Sequence, residues 1–264
     1  MDSSRAEKRA YYLSKAVNKA QRRYHLFDED DSILVAVSGG KDSMTMLELL
    51  FRRNRYARYK ARLIAANIES DHACGRTVSR HWLDTWCAQR GIQLVSEQIV
   101  VAQELAEAES SPCFRCAWNR RKALFRLADT HNCNKLAFGH HADDIAETTL
   151  MNLFYAGRLN PMEARVSFFD GRLVVIRPMA LIEERTIADY VRVAGYPIGG
   201  EPCPWGHDSH REKVKAIIRQ LQHDSPQVKR CILSAAEHYR AAIRRLQDQQ
   251  VAESQHSPEE PSDG

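Results

Sequence analysis

Apolar residues follow two different periods along this chain. Short continuous runs, rich in valine, isoleucine, leucine and alanine, predict buried strands at residues 33–37, 63–68, 92–95 and 136–138. Between these runs, apolar residues recur three or four positions apart and predict helices at residues 77–90, 114–130 and 143–155. Strands that alternate with helices predict a parallel sheet covered by helices on both faces, which is an α/β fold.

The flanking segments have patterns of their own. Residues 1–26 predict a basic amphipathic helix, and its apolar side is formed by Tyr11, Leu13, Val17 and Ala20. Residues 166–176 predict a hairpin that turns at 170–171.

The part that follows the hairpin is mainly helical. Residues 183–194 predict a helix ended by Gly195, and residues 226–247 predict the last helix. Between them, an apolar stripe at helical spacing is formed by Val214, Ile217, Ile218 and Leu221. We therefore divide the chain into an N-terminal helix (1–30), an α/β domain (31–200), a helical C-terminal part (201–247) and a disordered acidic tail (248–264).

Bulk properties narrow the function. The chain has 264 residues and a net charge of +4, and its last residues are acidic, so the remainder is more basic than the total. A basic body suits a polyanionic partner such as RNA, although ordinary charged faces explain it equally well. No apolar run is long enough to span a bilayer, so no membrane role is expected. Seven cysteines without a disulfide-scaffold spacing favour a reducing, cytoplasmic location.

The first predicted strand leads into the sequence Ser-Gly-Gly-Lys-Asp-Ser at 38–43, and a helix follows. A strand, a glycine-rich turn and a helix N-terminus together direct backbone N–H groups at an anion. Lys41 adds a cation, and the Asp42 carboxylate suits Mg²⁺. The segment lacks the first glycine of a Walker A loop, where Val35 stands instead. An ordinary strand-turn-helix is the alternative.

Cysteines form a second candidate site. Cys113 and Cys116 form a CxxC at a helix start, and Cys203 lies in a downstream segment rich in proline and glycine. Three interpretations stay open: a 4Fe-4S cluster with one iron lacking a protein ligand, a closed zinc site completed by His207, or a redox dithiol to which Cys203 does not contribute.

A third group of polar residues follows the strand at 136–138. Gly139 and His140 come directly after it, and Asp143 and Asp144 open the next helix. One carboxylate suits a helix cap, and the group as a whole suits a site for ATP or Mg²⁺. Arg177 ends the hairpin, where it either stabilises phosphate charge or is solvated.

These motifs, in this order and followed by Ile-Arg-Pro and Pro-Cys, resemble the tRNA 2-thiocytidine synthetases (tRNA-cytidine(32) 2-sulfurtransferases) over residues 8–240. The resemblance implies a PP-loop domain, ATP, Mg²⁺ and a 4Fe-4S cluster on Cys113, Cys116 and Cys203. It also implies tRNA as substrate and a cysteine desulfurase as sulfur donor. A homodimer is a further expectation.

The pattern and the resemblance together predict the site residues. The predicted catalytic residues are Lys41, Asp42 and Asp144. The predicted nucleotide-binding residues are Ala36, Ser38, Gly39, Gly40, Lys41, Asp42, Ser43, Asn67, Gly139, His140 and Arg177. The candidate tRNA-binding surfaces are the N-terminal helix and the face formed by Arg120, Arg121 and Lys122.

Other functions are compatible with the same motifs. One is a 2-thiouridine synthetase, although no cysteine-rich finger precedes Cys74. Another is a PP-loop ligase of the lysidine-synthetase type with structural zinc at the cysteines. A third is a non-catalytic RNA-binding zinc module, which the intact Lys41, Asp42 and Asp144 disfavour. The chain also lacks the second CxxC that members of the resembling family often carry.

Overall fold

The computed structural model of the protein describes residues 3–56, 60–71, 75–103, 112–201 and 210–255. The strands are β1 (Ser32–Ala36), β2 (Arg62–Ser70), β3 (Gln93–Ile99), β4 (Lys135–Ala137), β5 (Arg165–Phe168) and β6 (Leu173–Ile176). The helices are α1 (Ser3–Tyr24), α2 (Lys41–Tyr56), α3 (Arg80–Ala88), α4 (Pro112–Thr130), α5 (Ala142–Ala156), α6 (Glu184–Ala194), α7 (His210–Asp224) and α8 (Val228–Gln255).

The six strands form one sheet in the order β3-β2-β1-β4-β6-β5. All neighbours pair in parallel except β5 and β6, which form the predicted antiparallel hairpin. The chain builds outward from β1 through β2 and β3, and then returns to the other side of β1 with β4. Because the strand order reverses between β1 and β4, a crevice opens there at the carboxyl ends of the strands.

Helices cover both faces of the sheet, as the alternation predicted. In β1, Ile33 and Val35 pack into one hydrophobic cluster with residues of α1, α2, α3 and α6. Leu34 lies between them and faces the opposite cluster, which includes Leu124 and Ala128 of α4. Successive side chains of a strand point to opposite faces, so a fully apolar strand must be covered on both sides.

The N-terminal helix is part of this core and not an appendage. Leu13, Val17 and Ala20 are buried in the same cluster as β1, as the amphipathic pattern predicted. The assignment of Tyr11 to the apolar side is wrong, because its side chain is 57% exposed. Helix α1 is also tied to α2 by an ion pair between Glu7 and Arg52.

The C-terminal helices pack against α5. Val214 and Ile218 are buried against Ala146, whereas Ile217 and Leu221 of the predicted stripe are exposed. Helix α8 ends at Gln255, so residues 248–255 are helical and the predicted tail begins too early. Residues 256–264 lie outside the described residues. None of the helices described here is both long and apolar enough to cross a membrane.

Candidate active site at the carboxyl edge of the sheet

A cavity of about 360 Å³ lies above the carboxyl ends of β1, β2 and β4. It occupies the crevice at the reversal of strand order. Seven residues predicted to act in nucleotide binding or catalysis line it: Ala36, Ser38, Asp42, Ser43, Gly139, His140 and Asp144. The sequence motifs at 38–43 and 139–144 are far apart in the chain, and the fold brings them to one place.

The turn between β1 and α2 is held by its own serines. The hydroxyls of Ser38 and Ser43 lie 3.1 Å apart, and the Gly40 N–H donates to Ser38 Oγ at 3.3 Å. Ser43 Oγ also donates to the Gly40 carbonyl oxygen at 3.1 Å. These bonds fix the turn at the start of α2. The first N–H groups of the helix and its dipole therefore favour an anion at this end.

Two glycines are required by this geometry. Gly39 has φ +82°, which a side chain disfavours, and a Cβ there would lie 3.2 Å from Thr77 Cβ. A Cβ on Gly139 would lie 3.1 Å from the Ser43 backbone nitrogen and 3.2 Å from the carbonyl carbon of Asp42. A side chain at position 139 would therefore crowd the backbone at the start of α2, which glycine avoids.

Lys41 lies in an anionic environment. Its Nζ is 2.8 Å from Asp42 Oδ2 and 3.1 Å from Glu184 Oε1 of α6. Burial lowers the pKa of Lys41, but the charges of Asp42 and Glu184 more than offset it, so the pKa is raised. Burial also raises the pKa of Glu184, but hydrogen bonds from Lys215 and Lys41 and their charges bring it down to about 2. Lys41, Gly39 and Gly40 do not line the cavity, although they flank it in the turn.

His140 is held as a neutral imidazole. Burial, followed by the charge of Arg177, lowers the pKa of His140 to about 4. Arg177 Nε donates to His140 Nδ1 at 3.2 Å. Because Nδ1 accepts this bond, the ring proton is at Nε2, and Nε2 can act as a donor. Arg177 therefore acts through His140 instead of lining the cavity, and its own pKa falls to about 10, mainly through burial.

The two aspartates that open α5 have different roles. The backbone N–H of His141 donates to Asp144 Oδ2 at 3.0 Å, which closes a capping box. Asp144 Oδ1 accepts from Arg211 Nη1 of α7 at 2.8 Å. Asp143 is turned away from the cavity; it accepts from the backbone N–H of Glu184 at 2.8 Å and pairs with Lys229. Asp144 is thus both a cap and a cavity residue, whereas Asp143 joins α5 to α6 and α8.

Asn67, a predicted nucleotide-binding residue, does not line the cavity. It is buried within β2, and its Nδ2 donates to the Val37 carbonyl oxygen at 2.6 Å. Its neighbours Ala66 and Ile68 line the cavity instead, because they point to the other face of the strand. Asn67 therefore holds the backbone directly after β1 in place, through its bond to the Val37 carbonyl oxygen.

Helix α4 supplies residues that the sequence had not assigned to this site. Ala117, Arg120, Arg121 and Leu124 recur at helical spacing and line the cavity on one side. The sequence analysis assigned the two arginines to a candidate RNA surface instead of the nucleotide cavity. Arg211 and Glu184, which hold Asp144 and Lys41, were also missed, because neither lies in a recognisable motif.

The CxxC cysteines lie in the first turns of the same helix. Cys113 is exposed and Cys116 is half-buried. Cys113 precedes Ala117 by four residues, so it shares the helix face that lines the cavity. Two accessible thiols three residues apart at a helix start fit a thiolate-bound metal group. Cys203 and His207 lie outside the described residues, and within the described ranges no three metal-ligating side chains converge.

Comparisons with known proteins agree with this geometry. The PP-loop domain family matches residues 8–219. A tRNA-cytidine(32) 2-sulfurtransferase from Geobacter metallireducens is 36% identical over 233 residues, which are 87% of this chain and 90% of that protein. One from Pelobacter propionicus is 34% identical over 242 residues, which are 90% and 89% of the two proteins. The chain belongs to the tRNA-cytidine(32) 2-sulfurtransferase family of PP-loop proteins.

A solved structure supports the fold of this PP-loop protein. It is the U34-tRNA thiolase NcsA from Methanococcus maripaludis with its 4Fe-4S cluster, which superimposes with a TM-score of 0.68. The match covers 89% of this chain and 79% of that chain at 23% identity. The α/β fold predicted from the sequence is therefore confirmed, and so is the family on which the resemblance rested.

Replacement of Gly139 by alanine should weaken ATP binding by about tenfold or more, because the added Cβ meets the backbone at the start of α2 and such overpacking costs ~1–3 kcal/mol. Titration calorimetry would measure the affinity. Gly199→Ala is the matched control, since its Cβ would meet nothing within 4 Å. Normal ATP affinity in Gly139→Ala would contradict an anion site at this helix start.

His140 should make the protein less stable in mild acid. Its pKa is lowered from 6.5 to about 4 in the fold, so the unfolded chain binds the proton first. The stability contribution is complete above pH 6.5 and is lost as the pH falls towards 4. In urea unfolding, His140→Gln should reduce the loss of stability over this range by on the order of 1–3 kcal/mol.

His81→Gln, which replaces an exposed histidine, is the matched control. Identical pH profiles for His140→Gln and the wild type would mean that His140 titrates normally in the folded protein.

Proposed function

We propose that this chain catalyses ATP-dependent thiolation of tRNA, in which the C2 oxygen of a cytidine is replaced by sulfur to give 2-thiocytidine. One observation carries the proposal. The glycine-rich turn at residues 38–43 and the residues Gly139, His140 and Asp144 border one cavity, which lies where the strand order reverses. The names of the curated relatives supply the substrate class and the modified base.

The first step is adenylation of the base. The cytidine C2 oxygen attacks the α-phosphorus of ATP, the bond from that phosphorus to the bridging oxygen breaks, and pyrophosphate leaves. The N–H groups at the start of α2, with Ser38 and Ser43, hold the phosphates. Lys41 lies beside them and neutralises the departing pyrophosphate. AMP on the C2 oxygen then makes that oxygen a good leaving group.

The cavity residues orient the two reactants. His140 stays neutral and donates through Nε2 to an oxygen of substrate or phosphate, while Arg177 fixes its ring. Asp42 and Asp144 both line the cavity, and their carboxylates suit Mg²⁺ bound to the phosphates. Arg120 and Arg121 add positive charge on the opposite wall.

Cys113, Cys116 and Cys203 would hold the 4Fe-4S cluster. When bound, this group would carry a sulfide delivered by an external sulfur donor, and that sulfide would replace the oxygen at C2. Cys113 lies on the helix face that borders the cavity, and this supports a cluster position close to the adenylated base. A cysteine desulfurase as sulfur source, a homodimer and a cytoplasmic location stay predictions from the sequence and the resemblance.

The function is tested by mass spectrometry of tRNA nucleosides from cells that lack the gene and carry a plasmid copy. The wild type should restore 2-thiocytidine. Lys41→Ala should lower the rate by about 10²–10³-fold, because one charge at the leaving group is lost. Lys213→Ala, an exposed lysine of α7, should restore the modification fully. Restoration of 2-thiouridine instead would assign the enzyme to the related thiouridine branch.

The cluster is tested by purification without oxygen. The wild type should be brown and contain about four iron and four sulfide per chain, as a 4Fe-4S group requires. Cys113→Ser and Cys203→Ser should lose both, whereas Cys231→Ser, an exposed cysteine on α8, should keep them. A colourless protein with one zinc would support the ligase alternative, and Cys203→Ser with an intact cluster would refute the ligand assignment.

A further inference from the structure

A second and larger cavity, of about 650 Å³, lies between α4 and the β5–β6 hairpin. Aromatic and basic side chains dominate its wall. Its lining includes Trp118, Arg121, Lys122, Phe125, Phe169 and Arg172. None of them has a role in the adenylation step except Arg121, which lines both cavities.

The aromatic rings of this cavity are held in place but remain accessible. Phe125 makes edge contacts with Phe168 and Phe169 at centroid distances of 5.4 and 5.9 Å. Phe169 is nevertheless 52% exposed, and Trp118 across the cavity is 57% exposed. Large rings that are fixed in position and open to solvent mark a binding surface.

The hairpin turn carries backbone strain that presents one of these rings. Phe169 and Asp170 both have φ +54°. This left-handed conformation is the one that a type I′ hairpin turn requires at its two central residues. Asparagine and glycine suit these positions, and a bulky phenylalanine is disfavoured. The strain places Phe169 at the rim of the cavity. Strained residues of this kind concentrate at ligand-binding sites.

The charge around the rings is positive. Within the part of the chain that the structure describes, no carboxylate forms an ion pair with Arg121, Lys122 or Arg172. Arg126 is already paired with Glu97, and Asp129 is the acidic residue in the wall. Cations without carboxylate partners beside exposed aromatic rings are the combination that binds single-stranded nucleic acid.

Arg121 lines both cavities. On α4 it belongs to the helix face that lines the nucleotide cavity, and it lies one helical turn before Phe125 of the aromatic cavity. A cytidine can reach the nucleotide cavity only if it leaves its base stack, and its neighbour then loses a stacking partner. The aromatic cavity extends along α4 from Trp118 and Arg121 to Asp129, and its Arg121 end adjoins the nucleotide cavity, where the unstacked neighbour can enter it.

We infer that this aromatic cavity is an RNA subsite that stacks an unpaired base next to the modified cytidine. Arg121 binds the phosphate between the two nucleotides, and Phe169 and Trp118 stack the neighbouring base. Lys122 and Arg172 bind the phosphates that follow. This inference rests on the proposed function, because it needs RNA as the substrate.

The test measures binding of a fluorescein-labelled stem-loop RNA whose loop contains the target cytidine. Phe169→Gly removes the ring and suits the left-handed backbone, so the thermal midpoint of the protein should not fall. Phe169→Gly and Trp118→Ala should each weaken binding by roughly 5- to 100-fold, as loss of one stacked base does. Phe154→Ala is the control, an exposed ring on α5 outside the cavity, and should change affinity less than twofold.

Abasic substitutions identify the base. One abasic position beside the target cytidine should weaken wild-type binding as much as Phe169→Gly does, and the two changes together should be no worse than either alone. Lys122→Ala and Arg172→Ala should each reduce the slope of log affinity against log salt by about 0.7, whereas Phe169→Gly should leave that slope unchanged.

Three outcomes overturn the inference in distinguishable ways. If the wild type thiolates tRNA but Phe169→Gly binds the stem-loop normally, the subsite is wrong and the proposed function stands. If sedimentation shows that Phe169→Gly also converts a dimer into a monomer, the aromatic cavity is an interface with a second copy of the chain. If the wild type neither binds the stem-loop nor restores 2-thiocytidine in tRNA, both the subsite and the proposed function fail.

Discussion

The small space between Gly139 and the backbone of Asp42 and Ser43, which leaves no room for a side chain, is the constraint on which the site depends. It lies between the loop after β4 and the start of α2, and these two segments come from opposite sides of the strand-order reversal. Because a side chain at position 139 would lie only 3.1 Å from the Ser43 backbone nitrogen, the glycine lets the loop after β4 lie close to the start of α2. More space at this point would let the glycine-rich turn at residues 38–43 and the carboxylate of Asp144 move apart.

Around this contact, charges are placed by residues from distant elements. Arg177 at the end of β6 holds His140, Arg211 of α7 holds Asp144, and Glu184 of α6 holds Lys41. Arg211 also reaches Glu147, whose pKa burial raises to about 7 despite the opposing charge of Arg211. The C-terminal helices therefore take part in the electrostatics of the cavity as well as in packing.

The sequence predicted what local patterns determine. The strands, the anion turn and the hairpin follow from periodicity and from glycine, and the family resemblance added the chemistry. The sequence did not predict which way the Asn67 side chain points, because a shift of one residue along β2 moves a side chain to the opposite face of the sheet. It did not predict that α1 completes the core, since an amphipathic pattern does not identify its partner. Arg211 and Glu184 act through contacts more than sixty residues away in sequence, and no motif marks such partners.

The position of Lys41 between Asp42 and Glu184 has a consequence for turnover. Any polyanion that recruits this ammonium group competes with carboxylates already 2.8 and 3.1 Å away. The net attraction is then a difference between two ion pairs of similar strength, so occupancy of the turn is readily reversible. A reaction that leaves a highly charged fragment behind in every cycle gains from this arrangement, because the competing carboxylates hasten the escape of that fragment and clear the turn for the next nucleotide.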